Sequence, residues 1–232
     1  MARFQKRAPS GNVLTASWRG KNVGSHVCGV RFAGGSVGRG FQVHPRGAHD
    51  FAMSIAEGSA THQRVLVGRH EVKVSTVGAS TTASLLGQHH ELMTIFEGPA
   101  PARERITELF GALDVDDNPR GMRVRPTSAS MLSLLSEHVV FVADDFTSMD
   151  APGAPNADRL VPRGRGRGQG TEHGEVWRNR VPGRGGNRAH DFAYIVGTPR
   201  GVVELVASEP AAITEQALLD MVQSLDVTWS AG

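Results

Sequence analysis

The chain has little that would cross-link it or hold it in a membrane. Its 232 residues include one cysteine, Cys28, so no disulfide can form within the chain and the fold must rest on packing. Cys28 lies in the apolar run VCGVRF, which is typical of a buried thiol rather than a nucleophile. No apolar run approaches the about 20 residues that span a bilayer, and the N-terminal stretch lacks the apolar segment of an export signal. We therefore expect a cytoplasmic protein without a membrane span.

Lysine is scarce as well. Lys6, Lys21 and Lys73 are the only lysines among 25 basic residues. Together with abundant Ala, Gly and Val, this bias favours a GC-rich bacterial genome, in which arginine is the default basic residue. The formal net charge is only +2, so any basic surface must be local. Apolar residues make up 39% of the chain, which allows a core and excludes a disordered class.

The apolar residues form short runs between glycines and polar turns, a pattern that predicts strands. Residues 50–58 and 64–78 are such runs, and the small-residue segment 79–88 is expected to connect strands. Helices are predicted at about 102–113 and at 209–225. In each helix four apolar residues at i, i+3, i+4 and i+7 share one face. They are Ile106, Leu109, Phe110 and Leu113 in one helix, and Leu218, Met221, Val222 and Leu225 in the other.

These patterns predict an α+β fold, in which antiparallel sheets carry helices packed on one face. We divide the chain into an N-terminal half at 1–127 and a C-terminal half at 128–232. The second half carries a long Arg/Gly-rich insertion at about 147–188. Both helices are followed by the sequence LDV at the same spacing, which indicates an internal duplication. The alternative is that two strand–helix–strand units share only their general pattern.

The C-terminal segment HDFAYIVGTPRGVVELVAS followed by ITEQALLDMVQSLDVTW resembles the end of Mog1/PsbP-like domains. The resemblance covers about 40 residues, and its strand–strand–helix–strand motif is generic. It implies an α/β/α or α+β fold and an accessory, chaperone or binding role without catalysis. It transfers no functional residue, because that family has no shared catalytic signature. The Arg/Gly tract departs from the family pattern.

The Arg/Gly tract at RGRGRGQG and RNRVPGRGGNR is the strongest local signal. Its arginines can neutralise several phosphates or acidic side chains, and its tryptophan can stack on a base. No known nucleic-acid-binding motif accompanies it, and a long solvated hairpin would have the same composition. The candidate binding arm consists of Arg163, Arg165, Arg167, Trp177, Arg178, Arg180, Arg184 and Arg188.

Histidines provide the other candidate chemistry. His89, His90 and Glu91 form a polar cluster, but neighbours in a strand point to opposite faces and cannot share one metal ion unless they lie in a loop. Solvated histidines in a turn are the simpler interpretation. The repeated sequence AHDFA places His49 and His190 before aspartates, as in a general base with an orienting acid. Strand entry is the simpler interpretation, with His and Asp outside and the following Phe51 or Phe192 in the core. We therefore predict no catalytic residue, no metal and no cofactor.

Three functions remain open. The leading prediction is a non-enzymatic accessory or assembly protein that contacts a protein partner, or a second copy of itself, through the arginine arm. The second is a nucleic-acid-associated protein that binds phosphates through the same arm. The third is an enzyme with chemistry centred on His49, His89, His90 or His190.

Overall fold

A computed structural model describes residues 1–34, 38–162, 166–207 and 213–232. The described residues form seventeen strands, four α-helices and one 3-10 turn. In chain order these are β1 (Ala2–Arg7), β2 (Val13–Trp18), β3 (Val23–Ala33), β4 (Gly40–Pro45), α1 (Ala48–Ile55), β5 (Ala60–Val67), β6 (His70–Val77), β7 (Ser80–Leu86), β8 (His90–Glu97), α2 (Arg103–Gly111), β9 (Leu113–Asn118), β10 (Gly121–Pro126), β11 (Ser133–Ala143), β12 (Thr147–Pro152), α3 (Ala154–Leu160), β13 (Gln169–Gly170), β14 (Glu175–Arg180), the 3-10 turn (Ala189–Asp191), β15 (Phe192–Thr198), β16 (Gly201–Ala207), α4 (Glu215–Ser224) and β17 (Asp226–Ser230).

The protein is mainly β, with 53% of the described residues in strands and 17% in helices. The predicted α+β class is therefore wrong. Part of the error lies at 79–88, where the expected connection forms strand β7. Thr81 and Ser84 are buried there, and both pair through their hydroxyls with neighbouring groups. Small polar side chains suit a strand when a helix or another strand lies close above it.

Two compact units divide the chain. Unit 1 contains residues 1–6, 12–27 and 138–232, and unit 2 contains 7–11 and 28–137. The boundaries at 27/28 and 137/138 fall within β3 and β11, so each of these two strands contributes to both units.

Unit 2 is built on an antiparallel sheet in the order β3-β4-β8-β7-β6-β5, beside the hairpin of β9 and β10. The buried residues Ile106, Leu109 and Phe110 of α2 pack against the apolar face, where Phe110 meets the ring of Phe41 at 5.8 Å. Helix α1 lies on the opposite face. Its His49 bonds to Ser84, and the side chain of Ser84 points away from the apolar face, because neighbouring residues of a strand alternate between the two faces. The expectation of helices on one face only is thus wrong for this unit.

Unit 1 has a sheet in the order β13-β14-β15-β16-β12-β11 and a smaller sheet in the order β1-β2-β17. Its aromatic core consists of Phe4 stacked on Phe141 at 4.3 Å, with Trp18 at 5.9 Å from the same ring. Helix α4 contributes Leu218, Met221 and Val222, all buried. The predicted apolar faces of both long helices are therefore confirmed, together with Leu113 and Leu225 just beyond the helix ends.

The two units have the same order of elements. In each, a hairpin (β3-β4 or β11-β12) is followed by a short helix, a run of strands, a longer helix and a strand; β1 and β2 of unit 1 and β10 of unit 2 lie outside this series. In both, the last strand before the longer helix returns to pair with the second strand of the hairpin. Strands β7 and β15, and the starts of α2 and α4, are each 112 positions apart. This spacing is that of the two LDV sequences.

No helix in the described parts of the chain is both long enough and apolar enough to cross a membrane.

Neighbouring leucines of α4 test the helix packing. Leu218 is fully buried and Leu219 is 37% exposed, so only the first truncation removes packed atoms and leaves a cavity. We expect Leu218→Ala to lower the free energy of unfolding by about 2–5 kcal/mol and Leu219→Ala by less than about 1 kcal/mol. Urea unfolding at neutral pH measures both variants. Equal losses would show that α4 does not bury the predicted face.

Candidate functional site

The arginine edge consists of strand β14 and the loop that follows it, which carry Arg178, Arg180, Arg184 and Arg188, together with Phe192; Arg167 precedes β13. Its centre is strand β14, which pairs with β15 so that Arg180 lies opposite Phe192 and Arg178 opposite Tyr194. Opposed residues of antiparallel strands share a face. The guanidinium carbons of Arg178 and Arg180 accordingly lie 4.8 and 5.2 Å from the centre of the Phe192 ring. This cation–π contact holds two positive charges side by side at the surface.

Strand β14 is also an open sheet edge. Strand β13 pairs with only Glu175 and Val176. Among the described residues, no strand lies on the outer side of 177–180. Such an edge presents unpaired backbone groups, and charged side chains on it oppose uncontrolled pairing. The arginines therefore suit an edge that accepts a selected partner.

Two arginines of the edge shape the loop that follows β14. Arg180 donates to the carbonyl of Gly186 and, at 3.0 Å, to the side-chain oxygen of Asn187. Arg184 donates to the carbonyl of His190 at 2.6 Å. Both guanidinium groups thus fix the loop instead of extending freely into solvent.

The base of the same loop is tied to the core. The Tyr194 hydroxyl donates to the carbonyl of Ala189 at 2.8 Å, and Glu215 accepts the Ala189 N–H at 2.8 Å. Burial raises the pKa of Tyr194, so its hydroxyl keeps the proton that this bond requires. Hydrogen bonds therefore hold the loop beside the arginine edge to the core of unit 1.

The positive charge of the edge is not neutralised within the described structure. None of the ion pairs among the described residues involves Arg167, Arg178, Arg180, Arg184 or Arg188. The nearby carboxylates are bonded to backbone N–H groups instead: Asp191 accepts from Arg188 and Glu175 from Gly168. The other two arginines of the predicted arm, Arg163 and Arg165, lie outside the described residues.

Trp177 is turned away from the arginines. It lies between Val176 and Arg178 in β14, so its side chain points to the opposite sheet face. It is half-buried, and its ring packs close to Gly168 and Gly197. The aromatic ring on the arginine face is Phe192, which the sequence pattern placed in the core.

The His89, His90 and Glu91 cluster does not converge. His90 bonds through Nδ1 to Asp117 at 2.7 Å, and the carboxylate of Asp117 also accepts the N–H groups of His89 and His90. Glu91 points to the other face of β8 and accepts from the start of α1. Within the described residues, no group of three potential ligands is placed to hold a metal ion.

His49 is buried, and the expected strand entry at this position is wrong. Residues 48–55 form helix α1, and the pattern is inverted: His49 is 1% exposed and Phe51 is 67% exposed. The His49 ring lies between two hydroxyls, with Nδ1 2.7 Å from Ser84 Oγ and Nε2 2.9 Å from Ser75 Oγ. A neutral imidazole satisfies both, because one nitrogen donates and the other accepts. The arrangement contains a histidine and two serines, but it is closed to any substrate.

The second AHDFA sequence has a different structure. Residues 189–191 form the 3-10 turn, in which Asp191 accepts the Arg188 N–H at 2.9 Å. His190 lies 4.0 Å from Asp191, and its carbonyl anchors Arg184. His190 and Asp191 therefore lie at the end of the loop that follows β14. The two AHDFA sequences do not form equivalent sites.

Stability should fall in mild acid because of His49. Burial lowers the pKa of His49, and it outweighs the nearby carboxylates of Glu91 and Asp50. The unfolded chain therefore binds a proton below its pKa of about 6.5 while the native His49 stays neutral, and stability decreases as the pH falls through this range. We expect the urea midpoint to drop between about pH 7.5 and about pH 5.5, and to drop less in His49→Gln, whose amide offers one donor and one acceptor to the serines.

His44→Gln is the matched control. Burial also lowers the pKa of His44, so this residue contributes in the same direction, but among the described residues its ring bonds only to Gln42 within its own strand. An equal effect of both variants would contradict a special role of His49.

No family model matches the chain, and comparisons with curated proteins and with solved structures find no match.

Proposed function

We propose that the protein is a non-enzymatic binding protein that contacts an acidic protein partner through the arginine edge. The observation that carries this proposal is the pair of guanidinium groups held over Phe192, neither of which forms an ion pair among the described residues. Two positive charges held side by side at an open strand repel each other, and an acidic partner relieves this electrostatic repulsion. The role is that of an accessory or assembly protein in the cytoplasm.

The open edge of β14 favours a protein partner. A partner strand can add its backbone hydrogen bonds to Arg178 and Arg180, and its alternate side chains then lie on the face of these two arginines. Acidic residues at alternate positions would meet both guanidinium groups. A second copy of the chain is one such partner, but the edge itself is basic, so a different and acidic strand is the better match.

The second candidate is a nucleic acid. The unneutralised arginines support it, since phosphate neutralisation needs only positive charge. Base stacking, however, needs an exposed aromatic face. Trp177 packs on the other side of the sheet, and Phe192 is covered by guanidinium groups. This candidate therefore rests on charge alone.

Binding assays separate the two candidates. The probes are a fluorescein-labelled peptide of alternating Glu and Val, and labelled single- and double-stranded oligonucleotides, titrated by anisotropy at about 50 and about 200 mM salt. We expect the peptide to bind, and the double variant Arg178→Gln/Arg180→Gln to weaken it about tenfold. Tighter binding of an oligonucleotide, with a steep salt dependence, would replace the proposal by the second candidate.

Two further variants complete the test. Arg178→Gln alone removes a guanidinium that the loop does not use, so it distinguishes lost binding from a loosened loop. Arg31→Gln/Arg120→Gln removes two exposed arginines of unit 2 and matches the change in charge. If this control weakens peptide binding as much as the edge variant does, the edge is not the site.

A further inference from the structure

A groove in unit 2 lies beside the end of helix α2. It encloses about 450 Å³ between the β5–β6 turn, the end of α2 and strand β9. Its floor includes Leu85, Phe110 and Leu113, and its rim includes Arg69 and Asp114. The floor residues are already more than nine-tenths buried. Covering them adds little apolar burial, so an occupant must be held mainly by polar contacts.

Unit 1 shows what fills the corresponding place. In both units a turn joins the two outermost strands of the sheet and faces the end of the longer helix: β5–β6 with α2, and β13–β14 with α4. The β13–β14 turn contains four residues, 171–174, between the paired Gly170 and Glu175. It reaches α4, where the Glu172 N–H donates to the carbonyl of Gln223 at 3.0 Å.

A charge pair completes the closure in unit 1. The carboxylate of Glu172 is bonded to the guanidinium of Arg19, and the Arg19 N–H donates to Ser224 Oγ at 2.8 Å. The last carbonyls of a helix lack partners within the helix, and here the turn supplies an N–H donor. An acidic turn thus caps α4 and is held by an arginine.

The same place in unit 2 is open. The β5–β6 turn has only two residues, Gly68 and Arg69, between the paired Val67 and His70. The residue of α2 that corresponds to Gln223, 112 positions earlier, is Gly111, which has no side chain to extend into the groove. The Ala112 carbonyl accepts the Thr127 N–H at 2.8 Å, but among the backbone hydrogen bonds of the described residues none reaches the carbonyl of Gly111.

The groove also offers the matching cation. Arg69 is exposed on the rim and donates only to His70 Nε2, at 3.4 Å, among the hydrogen bonds of the described residues. The one carboxylate of the rim, Asp114, lies directly opposite Arg125 in the neighbouring strand, which offsets its charge. Arg69, Asp114 and the adjacent Arg125 together leave one net positive charge at this side of the groove.

From these observations we infer that the groove binds an acidic peptide segment of a partner protein. The segment donates a backbone N–H to the carbonyl end of α2 and places a carboxylate on Arg69, as the β13–β14 turn does at α4. This site lies in unit 2 and is independent of the arginine edge in unit 1.

The chain itself supplies the probe. The synthetic peptide QGTEHGEV has the sequence of residues 169–176, and QGTQHGEV is its control without the acidic side chain of Glu172. The peptide is titrated into the full-length ¹⁵N-labelled protein and followed by amide chemical shifts. We expect shifts at Gly111, Asp114 and Val115 with a Kd on the order of 1 mM, and a several-fold weaker response to the control peptide.

Two variants of the groove decide the outcome. Gly111→Gln introduces the side chain found at Gln223, and its Cβ would meet only Val67 Cγ1 at 3.9 Å, an ordinary contact. It should raise the thermal midpoint, since glycine is unfavourable in a helix, and weaken peptide binding about tenfold. Arg69→Gln should weaken binding about threefold, as expected for an exposed ion pair. Both variants should fold.

Three results would overturn the proposal. The first is the absence of chemical-shift changes around Gly111 at the highest peptide concentration that stays in solution. The second is equal binding of QGTEHGEV and QGTQHGEV, or equal binding by the wild type and both variants. The third is a set of shifts confined to α4, which would mean that the peptide only displaces its own turn. None of these results bears on the arginine edge, so the two proposals fail separately.

Discussion

The buried carboxylate of Glu91 organises the polar face of unit 2. It accepts the N–H groups of Gly47 and His49, both at 2.8 Å, at the start of α1. A helix of eight residues is marginal by itself, and no side chain of its own caps this one. The strand therefore provides the cap, and the capped helix carries His49 down between Ser75 and Ser84. Each of these groups is tolerated in the interior because the others satisfy it.

The dependence of α1 on a distant residue explains which parts of the fold could be predicted from the sequence. Helices α2 and α4 have four apolar residues on one face, so local spacing was enough to predict them. The sequence pattern predicts a strand at the position of α1. The cap of this helix comes from Glu91, more than 40 residues later, and its exposed face carries Phe51, so no local signal indicates a helix. Strand β7 was read as a connection because its serines and threonines serve partners that only the folded chain brings near.

The candidate site was predictable in the same partial way. The density of arginine marked the segment, and alternation along β14 would have put Arg178 and Arg180 on one face with Trp177 on the other. Nothing in the sequence indicated that Phe192 lies opposite Arg180, because strand register depends on the turn and on the pairing of both strands. Likewise, the sequence could not show that Arg180 and Arg184 hold carbonyls of their own loop.

The shared element order of the two units supports the predicted internal duplication, which stays a prediction. It also shows how similar scaffolds acquire different surfaces. In unit 1 a four-residue turn reaches the end of α4 and closes it with Glu172; in unit 2 a two-residue turn stops short of α2. Gly68 adopts φ +58° there, which a two-residue hairpin turn of this kind requires. In unit 1 the turn therefore bonds to the end of the helix, whereas in unit 2 the end of α2 receives its backbone donor from Thr127 instead of from the turn.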